Sequence, residues 1–143
     1  MNQYLTFLIS HWELSILFIV AFIWVVLTEI NSRRTESLGV ESQDAIELIN
    51  KKSAKIFDLR KEEVFVQGHI VGAKQVNFDP NKDDPKTVLK ISPQTTCLFV
   101  CNIGQTSHKV TQALRVKGYL QTFSLNGGMI GWQKENLPTL KGK

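Results

Sequence analysis

Cysteine is scarce in this sequence, and the patterns that would give it structural or metal-binding work are missing. Only Cys97 and Cys101 occur among 143 residues. They lie four apart in the strand-like run "TTCLFVC" (Thr95–Cys101), and at that spacing on a strand their side chains are beyond disulfide reach. The pair is therefore not a structural staple, and a reducing compartment is expected. No C-x-x-C motif is present, and the histidines His11, His69 and His108 are scattered without metal-ligand spacing. Neither a metal nor a cofactor is expected. Long Lys/Arg blocks are absent at a net charge of +4, which argues against nucleic acid as a partner. Repeats and low-complexity tracts are absent too. Hydrophobic residues at 43% against 21% charged exclude a disordered chain.

Charge is missing from one stretch altogether. "LSILFIVAFIWVVLT" (Leu14–Thr28) is uncharged and bracketed by Glu13 and Glu29. At ~1.5 Å per residue it is ~22 Å long, short of a ~30 Å hydrocarbon core. The mostly apolar "YLTFLISHW" (Tyr4–Trp12) before it extends the helix, with Trp12 at an interface. A secretory signal is disfavoured, because no Lys or Arg precedes Arg33 and "TEINS" is not a small-residue cleavage site. Residues 1–31 are thus expected to form one transmembrane anchor and 32–37 a polar linker. A buried core helix is the competing reading. Arg33 and Arg34 directly after the span put the C-terminal part in the cytoplasm of a single-pass inner-membrane protein.

From residue 38 to 143 apolar strand-like runs alternate with helical stripes. "LGV" starts a strand. Ser42 is placed as N-cap of "QDAIELIN", and "AKIFDLR" is a buried-type strand. "EEVFVQGHIVGAKQVNF" reads as a short helix, a turn and a strand, and "DPNKDDPKTVLKIS" as a loop with a short helix. "TSHKVTQALRVKGY" is an amphipathic helix ended by Gly118, with Val110, Ala113, Leu114 and Lys117 on one side. "QTFSL" is a last strand, and "GGMIGWQKENLP" a turn and a short helix. The alternation implies an α/β domain with a mostly parallel central sheet flanked by helices. Ligands of such sheets bind at the carboxyl ends of strands, where Asp58 and Cys101 both fall.

Cys101 has two readings. It is a buried thiol that happens to end a strand, or a nucleophile in an anion cradle. The residues after it suit a cradle. Gly104 permits a tight turn, successive backbone N–H groups turn inward, and a helix starting near Thr106 adds its positive end. That field favours thiolate over thiol. Cys97, in mid-strand, is expected in the core.

Three segments in order carry a family resemblance: "FDLRKEEVFVQGHIVGA" (Phe57–Ala73), "CNIGQTS" (Cys101–Ser107) and "LNGGMIGWQKENLP" (Leu125–Pro138). Together they resemble the rhodanese-like domain, over roughly residues 38–143. With the N-terminal span, the chain is similar to membrane-anchored bacterial single-domain members. The resemblance implies that Cys101 is the nucleophile and that Asn102, Ile103, Gly104, Gln105 and Thr106 form the substrate-binding loop. Asp58, Arg60 and Ser107 are supporting residues, the first two orienting the loop or pairing within the fold. The implied reaction moves a sulfane sulfur from a donor such as thiosulfate, through a cysteine persulfide, to a thiol or cyanide. The implied partners are a small sulfur-donor anion and a thiol acceptor; the N-terminal helix adds the membrane as an expected partner and leaves a membrane-protein partner open. Two departures stand out. Thr106 occupies a position often held by Arg, and Val64 precedes Phe65 where a carboxylate is usual. His69 is expected to be structural, Gly127 and Gly128 a backbone requirement, and Trp132 a packing anchor. Thr106 and Ser107 are helix N-caps or donors to the bound anion. An alternative function is a catalytically weak, membrane-tethered interaction module. A cysteine phosphatase would need Arg at the end of a longer loop, where Ser107 stands.

Overall fold

The computed structural model describes the backbone of residues 12–36 and 38–142, and the side chains of 12–28 and 38–142. The chain divides into two units, Met1–Glu36 and Ser37–Lys143.

The first unit contains helix α1 (Trp12–Glu36). Its backbone stays helical through residues 32–36, where a linker was expected. Large apolar side chains are exposed all along it, among them Leu17, Phe18, Val20, Phe22 and Trp24. Among the described residues no helix is long and apolar enough to cross a membrane. Residues 12–28 span only ~25 Å at the α-helical rise, and the extension expected from residues before Trp12 lies outside the described residues.

The second unit is a sheet between helices. Its elements are β1 (Gly39–Val40), α2 (Ser42–Lys52), β2 (Lys55–Asp58), α3 (Glu62–Phe65), β3 (Ala73–Gln75), α4 (Pro85–Val88), β4 (Cys97–Val100), α5 (Gln105–Val116), β5 (Thr122–Leu125) and α6 (Gly128–Lys134). The strands run in the order β1-β5-β4-β2-β3, every pairing parallel. A parallel sheet covered on both faces needs strands apolar on both faces. β4 meets that demand: Cys97, Leu98, Phe99 and Val100 are all buried.

Alternation along the strands sorts the core into two clusters. Phe57, Cys97 and Phe99 join Val110, Leu114 and Tyr119, with Phe57 and Phe99 stacked at 5.4 Å. Ile56, Leu98 and Val100 join Ala45, Leu125, Met129 and Trp132. Trp132 is the expected packing anchor, and its Nε1–H donates to Pro138 O at 3.1 Å. After β2 the chain steps outward to β3, and after β4 it steps the other way to β5, which pairs with β1 at the far edge. The strand order therefore reverses between β2 and β4, the place where open α/β sheets bind ligands.

Two helix starts differ from the expectation by one residue. Glu41, not Ser42, is the N-cap of α2. Gly104, at φ 93°, is the N-cap of α5, so Thr106 and Ser107 are helical residues rather than caps. Glycine takes a left-handed cap without the steric cost that would push the start downstream. Lys117 lies beyond the last turn of α5 and is exposed rather than on the packed face.

Candidate active site

Cys101 stands one residue past β4, at the switch point between β2 and β4. The period of two continues from Cys97 and Phe99, which lie on the α5 side, so Cys101 meets the start of that helix. Its Sγ accepts the Gly104 N–H at 3.1 Å and the Ser107 N–H at 3.4 Å. Ser107 Oγ lies 3.4 Å from the sulfur and donates to Gly104 O at 3.0 Å. Ser107 is fully buried, so this hydroxyl has no competing water.

These contacts set the ionisation of the thiol. Burial pushes the Cys101 pKa up. The Ser107 hydroxyl and the N–H groups of Ser107, Gly104 and Thr106 together outweigh it, so the net shift is downward. Cys97 lacks such donors. Burial dominates there, the charge of Lys55 offsets little, and its pKa is pushed up to about 12. Both cysteines are free and buried.

The loop is held from behind by backbone. Met129 N–H donates to Cys101 O at 2.9 Å and Ile130 N–H to Asn102 O at 3.1 Å. This needs close approach at Gly128, where φ is 56° and a Cβ would sit 2.4 Å from Cys101 O and 2.6 Å from Asn102 O. Gly127 and Gly128 are thus a backbone requirement, as expected. The two donors after them were not foreseen; the glycine pair signalled a tight approach without naming its partner.

Among the loop residues, Gly104 and Thr106 serve the sulfur through backbone N–H. The side chains of Asn102, Ile103, Gln105 and Thr106 are exposed. Asp58 and Arg60 pair within the fold. Arg60 Nη2 donates to Asp58 Oδ2 at 2.6 Å and to Gly68 O at 2.8 Å, and Arg60 Nε donates to Asp58 Oδ1 at 3.0 Å. Neither side chain bonds to Asn102–Thr106 among the described residues. Their link to the site is through the strand: Asp58 registers with Val100, and Leu59 N–H donates to Val100 O at 2.8 Å. His69 is structural, stacked on Phe65 at 3.9 Å with Nδ1 3.0 Å from Phe65 O. Val64 and Glu63 are exposed, so the departure before Phe65 removes no buried partner.

A cavity of about 480 Å³ opens beside the loop, lined by Ile103, Gly104, Gln105, His108, Lys109, Asn126 and Gly127. No group of His, Cys, Asp and Glu among the described residues could hold a metal ion.

The sequence and the fold are both similar to those of known proteins. The rhodanese-like domain model matches residues 41–135. Escherichia coli YibN is 31% identical over 145 residues that span all of both chains. The thiosulfate sulfurtransferase GlpE of Tolumonas auensis is 29% identical over 94 residues, 66% of this chain and 86% of its own. Among solved structures, the human single-domain sulfurtransferase TSTD1 superposes with a TM-score of 0.55 at 21% identity, covering 68% of this chain and 96% of its own. Bacillus halodurans BH2092 superposes with a TM-score of 0.62 at 20% identity, covering 80% and 84%. At those identities the solved structures speak for the fold alone. The family match spans α2 to α6, and so the elements that carry the cysteine, its loop and the glycine pair behind it, and the chain belongs to the rhodanese-like domain family.

Proposed function

We propose that the domain is a sulfurtransferase that carries a sulfane sulfur as a persulfide on Cys101. The Cys101 thiolate attacks the sulfane sulfur of a donor such as thiosulfate. A new S–S bond forms, the donor's S–S bond breaks, and sulfite leaves with the electron pair. Cyanide or a thiol then takes the outer sulfur, and the electron pair returns to Cys101 as thiolate. The observation that carries this reading is the set of N–H groups around Sγ, with Gly104 N at 3.1 Å and Ser107 N at 3.4 Å. Donors so placed stabilise a sulfur anion both before and after transfer. Mass spectrometry of the protein after thiosulfate exposure tests it. A gain of about 32 Da, one sulfur atom, is expected on the peptide containing Cys101 and is removed by cyanide. An unmodified Cys101 would leave the interaction-module reading in place.

The reading extends to a membrane site. Residues 14–28 of helix α1 carry no charge, and their large apolar side chains are exposed, a surface that water does not stabilise. With Arg33 and Arg34 after it, the expected orientation is N-out and C-in. Protease added to spheroplasts should leave residues 38–143 intact, and their digestion from outside would overturn this topology.

A further inference from the structure

We infer that the cavity beside the loop receives the sulfur acceptor, and that the acceptor is a small organic thiol bearing a carboxylate held by Lys109; this rests on the sulfurtransferase reading. The cavity shares a wall with the reacting centre, because Gly104 lines it and Gly104 N is 3.1 Å from Cys101 Sγ. Its volume of about 480 Å³ lies in the range of sites for small organic molecules. A compact oxyanion met by the loop N–H groups does not need that space.

The lining decides the chemistry. Asn126 is already committed: its Nδ2 donates to Glu41 Oε1 at 2.8 Å, and its Oδ1 packs so close to Gly39 that a Cβ there would sit 2.0 Å away. His108 Nδ1 lies 3.4 Å from Ser124 Oγ. Lys109 is exposed and has no ion-pair or hydrogen-bond partner among the described residues. Among the described residues no carboxylate lines the cavity. Ile103, 51% exposed, offers an apolar surface in the same wall. A carbon body against Ile103 and a carboxylate at Lys109 satisfy both, and neither neutral nor cationic thiols do.

In the transfer step, the acceptor sulfur attacks the outer sulfur of the Cys101 persulfide. The S–S bond to Sγ breaks, its electron pair stays on Cys101 as thiolate, and the acceptor's thiol proton ends on the product persulfide. No oxidant or reductant enters.

The test uses the purified full chain and two acceptors that differ in one carboxylate, N-acetylcysteine and its amide. The readout is the ratio of their kcat/KM values. Comparing this ratio between wild type and variant cancels the intrinsic reactivities of the two thiols. Lys109→Ala should lower the ratio about two- to fivefold, as for one exposed ion pair, and Lys109→Glu should lower it further. The kcat/KM for thiosulfate, measured with cyanide as acceptor, should change less than about twofold. An unchanged ratio would overturn the inference alone. A parallel fall in kcat/KM for thiosulfate would do so too, by assigning Lys109 to the donor. Wild type unable to transfer sulfur to cyanide would remove the sulfurtransferase reading itself, and the acceptor site with it.

Discussion

Cys97 and Cys101 sit at the two ends of one strand run, both buried and both free, yet the fold treats them oppositely. Cys97 starts β4, packs with Phe57 and Phe99, and has only a 3.6 Å contact from its Sγ to Thr95 O. Cys101 follows β4 and faces the start of α5, where N–H groups converge on its sulfur. Burial alone raises a thiol pKa, and it does so at both positions. The difference lies in hydrogen-bond donors. Thiol ionisation in this domain therefore follows the donors at the strand's carboxyl end, not cysteine exposure.

The largest expected effect tests that contrast directly. Cys97 has a pKa of about 12 and Cys101 one below the ordinary thiol value of 9.0. The shifts are opposite, so ionisation alone should make iodoacetamide label Cys101 faster than Cys97 by orders of magnitude at neutral pH. Cys101→Ser should abolish sulfur transfer. Cys97→Ser should retain it and cost about 1–3 kcal/mol for a hydroxyl in the core. Comparable labelling of both cysteines would break the comparison. Stability against pH separates the two thiols as well. The raised Cys97 pKa means that its contribution is intact below the ordinary thiol value and is lost as pH rises toward about 12. The lowered Cys101 pKa gives the opposite sign: its contribution is present above the unfolded value and is lost as pH falls through the folded one. Cys97→Ala should therefore flatten the alkaline loss of stability in denaturant titrations.

A smaller effect comes from behind the loop. Gly128→Ala puts a Cβ within 2.4 Å of Cys101 O at a positive φ. The expected cost is about 1–3 kcal/mol of stability, with slower labelling of Cys101 and no change at Cys97. Full stability of the variant would show that this close approach is not required. Smaller again is Thr106→Arg. Thr106 is exposed in the first turn of α5, so an added guanidinium meets the anion site from solvent. KM for thiosulfate should fall about three- to tenfold, as charge-assisted hydrogen bonds contribute ~1–3 kcal/mol less the cost of a cation at a helix N-terminus. An unchanged KM would mean that the donor does not bind at this end of the loop.

How much of this was legible depended on whether the cause was local. The buried run before Cys101 announced a central strand because both faces of a parallel sheet must be apolar. The parallel architecture, the core position of Cys97 and the structural role of His69 followed from pattern or from the family resemblance. The sequence puts the start of α5 near Thr106 and offers Thr106 and Ser107 as caps or anion donors, whereas Gly104 takes the cap through a backbone angle. Whether Asp58 and Arg60 orient the loop or pair within the fold was open in the sequence. Their bond to Gly68 depends on where the chain returns after α3. The Met129 and Ile130 donors and the position of Lys109 in a cavity wall are long-range results of packing, with no local pattern to read.

The finest test of the contrast between the two thiols is Ser107→Ala. Ser107 Oγ has one proton and two neighbours, Cys101 Sγ at 3.4 Å and Gly104 O at 3.0 Å. When Cys101 is a thiol, its S–H can donate to Oγ while the hydroxyl donates to Gly104 O. When Cys101 is a thiolate, the hydroxyl gains by turning to the sulfur, and the backbone N–H bonds remain. Removing the hydroxyl leaves the Gly104, Thr106 and Ser107 N–H groups in place, so the loop should persist but the thiolate loses its side-chain donor. One such bond contributes about 0.5–1.5 kcal/mol. Cys101 labelling at neutral pH should slow about two- to tenfold, its pH profile should move to the alkaline side, and the limiting rate at high pH should be unchanged. Ser107→Thr, which retains the hydroxyl, should restore the profile if its methyl group is tolerated in this buried position. A profile that does not move in Ser107→Ala would mean that backbone N–H groups alone set the ionisation of Cys101, and the asymmetry between the two cysteines would then rest on the loop's backbone without help from a side chain.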